Sequence, residues 1–273
     1  MTITAADINK LRQQTGAGIM DCKKALEESG GNFEKAIDFL RKKGAKIAAN
    51  RQDRDAKEGY VIAKVKDNQK AILLSINCET DFVAKNQDFQ TFAQEIAHIA
   101  LEKFPTNTEN LQKLSYNSDI SIHDKLMELI AKIGEKIEIG YYATLQAPYV
   151  TSYIHPGNRL AVIIGFSKPI DPQAAKNIAM QVAAMAPVSI DKSDVPQNIL
   201  ERELEIAREQ TRQEGKPEEM IEKIAQGKLN KFFKESTLLN QEYIKDNKKT
   251  VGQYLQEIDK EAKITAFKRY ALS

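Results

Sequence analysis

The chain has two cysteines, three histidines and no tryptophan among its 273 residues. Cys22 and Cys78 lie far apart and make no CxxC, so neither a disulfide framework nor a zinc site is indicated, and both read as small buried thiols. His98, His123 and His155 are too few for a histidine-rich metal centre. His98, inside the apolar-rich AQEIAHIAL, reads as a core or boundary histidine. A GxxxxGK[ST] phosphate loop, a GxGxxG turn, HExxH and GxSxG are all missing, and GKP at Gly215 and GKL at Gly227 have the wrong residues upstream. Carboxylates are plentiful, but no pair has a spacing that singles it out for acid–base work. The pattern is that of a binding protein, not an enzyme, with no metal or cofactor of its own.

Charge of one sign is also lacking. Lys and Arg number 40 against 38 Asp and Glu, a formal +2, so the basic excess of a polyanion-binding protein is absent and direct nucleic-acid binding is not the first expectation. The longest apolar strings, Leu160–Phe166 and Ala71–Ile76, fall far short of the roughly 20 residues that a bilayer-spanning helix needs, so no membrane partner is expected. The start, MTITAADINKLRQQ, lacks a basic end followed by an apolar core, and the expected compartment is the cytoplasm.

What is present is periodic. Residues 1–45 read as a domain of three short helices: one capped by Thr4 and ending near Gly16, one from about Ile19 to Ser29, and one capped by Asn32 with Gly44 beyond its end. Residues 46–58 are polar and basic and read as a linker. A nucleic-acid patch is the alternative, but no aromatics interleave the charges for stacking. From Gly59, YVIAKV and KAILLSINC form a hairpin across DNQK, followed by the polar turn ETDFVAKNQ and an amphipathic helix from about Asp88 to Phe104. The order returns in YVTSYI, HPGN, RLAVIIGF, the connector SKPIDPQ and the helix AAKNIAMQVAAMA, which indicates a duplicated strand–strand–helix unit. A helix with Leu126, Leu129, Ile130 and Ile133 lies between the copies and gives way to a strand after Gly134.

These units divide into subdomains 59–140 and 141–273. The second carries a helical hairpin at about 197–235, in which Leu200, Leu204 and Ala207 face Met220, Ile221 and Ile224. Its thin apolar seam favours a projecting coiled-coil arm. ITAFKRY at the end reads as a strand that completes a sheet. The fold class is α+β with antiparallel sheets. Where the second copy has a Pro-containing connector, the first has Thr80-Asp81-Phe82-Val83. There either Phe82 or Val83 plugs the core beneath the turn, or Phe82 is an apolar knob with an acidic neighbour offered to a partner.

The blocks LRQQTGAGIMDCKKAL, INCETDFVAKN, AKIGEKI, NIAMQVAAMAP, GKPEEMIEKIAQGKLNKF and KTVGQYL, in this order, closely resemble the bacterial elongation factor Ts family over almost the whole chain. The resemblance implies a guanine nucleotide exchange factor that binds elongation factor Tu in its GDP-bound and nucleotide-free forms, and an N-terminal module that is ubiquitin-associated-like. It implies that Arg12, Ile19 and Met20 touch the partner's GTPase domain, with Ile19 where other members carry Met. It implies that Thr80, Asp81, Phe82 and Val83 disturb the partner's magnesium site and that Ile133 and Gly134 line the same contact. His155 falls at a family histidine, although HPGN replaces a shorter HG turn. Tyr243 and Ile244, in NQEYIKD with Glu242 where Pro is usual, are further contact candidates, and the arm is a candidate for other partners or homodimerisation. Three other readings stay in view: a ubiquitin-associated interaction module alone, an RNA-binding translation protein resting on the basic stretch, and an enzyme with an unrecognised site.

Overall fold

A computed structural model describes residues 3–273, so the first two residues of the segment 1–45 lie outside it. Helices α1 (Ala5–Thr15), α2 (Ile19–Glu28) and α3 (Phe33–Asn50) open the chain. Thr4 and Asp7 make a reciprocal capping box on α1, Gly16 ends it in the left-handed region at φ 67°, and Asn32 accepts from the Lys35 N–H to start α3. Leu11, Cys22, Leu26, Ala36 and Leu40 meet in one apolar cluster. Shared burial of this kind holds together segments too short to be stable helices alone.

The core begins with β1 (Glu58–Lys66) and β2 (Lys70–Cys78), then the single-turn α4 (Asp81–Ala84), α5 (Gln87–Lys103), α6 (Thr108–Lys113), α7 (Ile122–Ile133) and β3 (Ile137–Gln146). The second unit follows as β4 (Tyr149–Ile154), β5 (Leu160–Phe166) and α8 (Pro172–Met185). After it come α9 (Gln197–Gln213), α10 (Glu218–Ser236), the ribbon β6 (Glu242–Tyr243) and β7 (Asp246–Thr250), α11 (Val251–Ile258) and β8 (Ile264–Ala271).

Among the described residues β1, β2 and β3 form one antiparallel sheet and β4, β5 and β8 another, with β2 and β5 central. Side chains alternate across a strand, and each central strand uses both faces. Ala71 and Leu73 of β2 meet Ala161 and Ile163 of β5 between the sheets. Ile72, Leu74 and Ile76 pack outward with Phe89, Phe92 and Ile96 of α5 and Leu126 and Ile130 of α7. Val162, Ile164 and Phe166 pack outward with Ile178 and Val182 of α8 and Leu255 of α11. The result is helices, sheet, sheet, helices, with the duplicated units back to back.

Four local expectations change. Gly44 does not end α3, which runs on to Asn50 and takes in the first part of the stretch 46–58. Gly44 is instead where α3 touches α7: a Cβ there would lie 2.0 Å from the Met127 carbonyl oxygen. The 140/141 division falls inside β3, which pairs with β2 from Ile137 to Gln146. In the helical arm Ala207, Thr211, Ile221 and Ala225 are buried, while Met220 is turned out to solvent. His98 lies on the solvent face of α5, one position from the buried Ala97.

Candidate functional site

The corner between β2 and α4 is built by Glu79 and Thr80. Thr80 Oγ1 accepts from the Val83 N–H (3.4 Å), which starts the single turn of α4. The same hydroxyl donates to Glu135 Oε1 (2.8 Å), and the Thr80 N–H donates to Glu135 Oε2 (3.1 Å). Glu79 accepts from Arg51 (2.6 Å), from Arg54 (3.2 Å) and from the Lys136 N–H (2.6 Å). Lys136 Nζ donates in turn to the carbonyls of Gln52 and Arg54, both at 3.0 Å. Three separate stretches of chain, the end of α3, the β2–α4 corner and the α7–β3 corner, are thus fastened at one point.

Burial pushes the Glu79 carboxyl up, but the Lys136 N–H and the Arg51 guanidinium outweigh it and hold the group below its ordinary range. Asp81 is also held low, chiefly by its hydrogen bond from Lys85 at 2.7 Å. The Cys78 thiol beneath the corner is pushed up to about 12, first by burial and then by Glu135, and donates to the Thr80 carbonyl (3.2 Å). It is a packing residue.

On this clamped turn the two apolar side chains part. Val83 packs against the first core, and Ala84 is buried beside it. Phe82 points out with 82% of its surface exposed, so Val83 is the plug and Phe82 the knob. An apolar ring this exposed on a fixed backbone is a feature of binding surfaces. Ile133 packs partly against the core, and Gly134 ends α7 in the left-handed region at φ 81°, beside the Glu135 that holds Thr80. The fold thus brings Thr80–Val83 and Ile133–Gly134 together.

The other candidates lie elsewhere. Ile19 and Met20 open α2 with 50% and 73% of their surfaces exposed, and Arg12 is exposed in the last turn of α1. His155 is exposed in the β4–β5 turn, with Nδ1 3.1 Å from the Tyr153 hydroxyl. Asn158 of that turn bonds to both backbone groups of Val61 in β1, which fixes the turn against the first sheet. Tyr243 is withdrawn as a contact: it is buried and stacked on Tyr254 at 4.2 Å, whereas Ile244 is exposed. Glu79, Glu135, Lys136, Arg51 and Arg54 were missed by reasoning from sequence. Glu79, Glu135 and Lys136 flank the TDFV and IG motifs and Arg51 and Arg54 follow α3, but their pairings span 25 or more positions, and no local pattern announces them.

Among the described residues no group of three or more His, Cys, Asp or Glu stands where it could hold a metal ion, and no helix is long and apolar enough to cross a membrane. Residues 79–273 match the family model described as Elongation factor TS. The chain is 54% identical to Elongation factor Ts of Christiangramia forsetii, over 99% of this chain and 98% of that one. It is 47% identical to Elongation factor Ts of Porphyromonas gingivalis, covering 100% and 99%, and 45% identical to that of Thermobifida fusca, covering 93% of each.

Proposed function

Because this chain belongs to the elongation factor Ts family, we propose that it is the guanine nucleotide exchange factor of elongation factor Tu in the cytoplasm, acting through the turn Thr80–Val83. The observation that carries this is Phe82, an almost fully exposed ring on a turn locked by Glu79 and Thr80. The partner holds GDP through phosphate contacts and a magnesium ion. A protein that binds the nucleotide-free partner more tightly than the GDP-bound one must, by linkage, weaken GDP by the same factor. Phe82 enters the GTPase domain as a wedge, with Ile133 and Gly134 beside it, while Asp81 brings a carboxylate toward the groups around the magnesium ion. Displacing that cation removes much of the positive charge that holds the phosphates.

This chain makes and breaks no bond, and the nucleotide and the metal belong to the partner. Arg12, Ile19 and Met20 supply a second point of contact, and His155 a third on the opposite unit. Homodimerisation through the arm would use Ile206 and Met220, both exposed there. The RNA-binding alternative finds little support, since Arg51 and Arg54 are engaged by Glu79 and Lys57 by Asp55. The test is release of a fluorescent GDP from elongation factor Tu. Acceleration that saturates with this protein is expected, and no acceleration at saturating concentration would overturn the proposal.

A further inference from the structure

The three-helix bundle is seated on the core at a glycine. Gly44 lies in the interior of α3, where glycine is a poor helix former. Its place is explained by α7: a Cβ there would stand 2.0 Å from the Met127 carbonyl oxygen, 2.9 Å from the Met127 carbonyl carbon and 3.3 Å from Ala131 Cβ. Backbone cannot yield as a flexible side chain does, so any larger residue forces the two helices apart. Beside this contact Arg41 Nε bonds Glu128 Oε1 at 3.0 Å. Further along, the Lys132 side chain lies over Gly16, where a Cβ would be 2.8 Å from its Nζ, and that Nζ pairs with Asp88 at 2.6 Å.

One helix therefore anchors both candidate contact regions. Gly16 lies between Arg12 and the pair Ile19 and Met20, while Lys132 directly precedes Ile133 and Gly134. Ile47 and Ala48 of α3 pack on the first core beside Gly44, while a cleft of about 270 Å³ lies between Gln13–Gly16 and Glu95, Tyr116 and Glu128. The close approach at Gly44 sets how near α3 and α7 lie, and so the tilt of the bundle on the core.

We propose that Gly44 is a positioning residue for nucleotide exchange: by letting α3 seat on α7, it holds Ile19 and Met20 at a fixed offset from Phe82, so that the partner meets one preorganised surface and not two misaligned ones. This rests on the exchange reading above. Preorganisation acts on affinity; the Arg51 bond to Glu79 lies about two helical turns beyond Gly44 and stays made as the pivot, so the turn that carries Phe82 is still held.

The test is Gly44→Ala, which improves helix propensity and so does not of itself unfold α3. Gly227→Ala serves as control, being the same change at a position of α10 with nothing within 4 Å. In the full chain, amide residual dipolar couplings should report the same orientation of bundle on core in wild type and in Gly227→Ala, and a changed orientation in Gly44→Ala. The half-saturating concentration for GDP release should rise about tenfold or more in Gly44→Ala, with the limiting rate within about twofold of wild type. An unchanged orientation in Gly44→Ala, or a changed one with unchanged half-saturation, would overturn the inference. Should the couplings within the bundle show that Gly44→Ala has lost its shape, Arg41→Ala decides, with the same split expected at smaller size and its absence counting against the proposal. A wild-type chain that does not accelerate release sinks the exchange reading, and this inference with it.

Discussion

Replacing Glu79 by Gln removes the charge at the fastening point while keeping the shape. The side chain is only 12% exposed and accepts from Arg51, Arg54 and the Lys136 N–H. Arg54, 60% exposed, contributes under about 1 kcal/mol, as exposed pairs do. Arg51, at 29% exposure, and the Lys136 N–H are the substantial partners, each a hydrogen bond to a charged acceptor at 2.6 Å, a class contributing about 1.5–3 kcal/mol. Gln can still accept from one of them, but its amide N–H₂ must then face a donor. The expected loss is about 2–3 kcal/mol, a sizeable share of a typical stability of about 5–15 kcal/mol. Urea unfolding measures it, and amide hydrogen exchange places it: the Thr80 and Lys136 amides should lose protection ahead of β2. The limiting rate of GDP release should fall as well, because the turn that carries Phe82 is no longer held. A loss under about 0.5 kcal/mol, the usual range for a neutral surface change, with unaltered protection at Thr80 and Lys136 would refute the reasoning.

Acid should loosen the same corner and the Asp88–Lys132 pair near it. Glu79, Asp81 and Asp88 are all held below their ordinary values, so their contribution is complete above the unfolded carboxylate range, about 3.9–4.3, and is lost as pH falls through the lower folded values. The urea midpoint should be level from about pH 7 to 5 and drop below about pH 4, and a midpoint level down to about pH 3 would contradict the shifts. Cys78, pushed up to about 12 and buried, should resist alkylation in the native protein at mildly alkaline pH and react only on unfolding, as mass spectrometry would show. Tyr243→Ala should cost about 3–5 kcal/mol in thermal or urea unfolding, as other large-to-small aromatic changes in cores do, whereas Ile244→Ala should change stability by under about 1 kcal/mol.

The strands and helices of the two core units were legible because they follow from short-range pattern. The alternation of Ala71 and Leu73 with Ile72, Leu74 and Ile76 assigns two faces to β2, and Ala161 and Ile163 against Val162 and Ile164 do the same for β5. Thr4, Asn32 and Gly16 marked helix ends through local hydrogen bonds and a left-handed backbone, both readable within a few residues. Gly44 carried the same helix-stop signal for another reason, since a glycine required by the backbone of a distant helix looks in sequence like a glycine required by a cap. Phe82 and Val83 could not be told apart, because which of them faces the core depends on the rotation of α4. That rotation is set by Glu135 and Glu79 bonding across 55 and 57 positions. Tyr243 was misjudged for a related reason, its stacking partner Tyr254 lying on α11.

The wedge is tested most directly by the rate of fluorescent GDP release from elongation factor Tu saturated with Phe82→Ala protein, beside the wild type. With 82% of its surface exposed in the free chain, Phe82 contributes little to stability, so the variant should unfold within about 0.5 kcal/mol of wild type. Burying such a ring in the partner is worth about 1.5–3 kcal/mol. If that is gained mainly with the nucleotide-free partner, the limiting release rate should fall by about 10- to 150-fold. A variant that binds the partner and releases GDP at the wild-type rate would contradict the account.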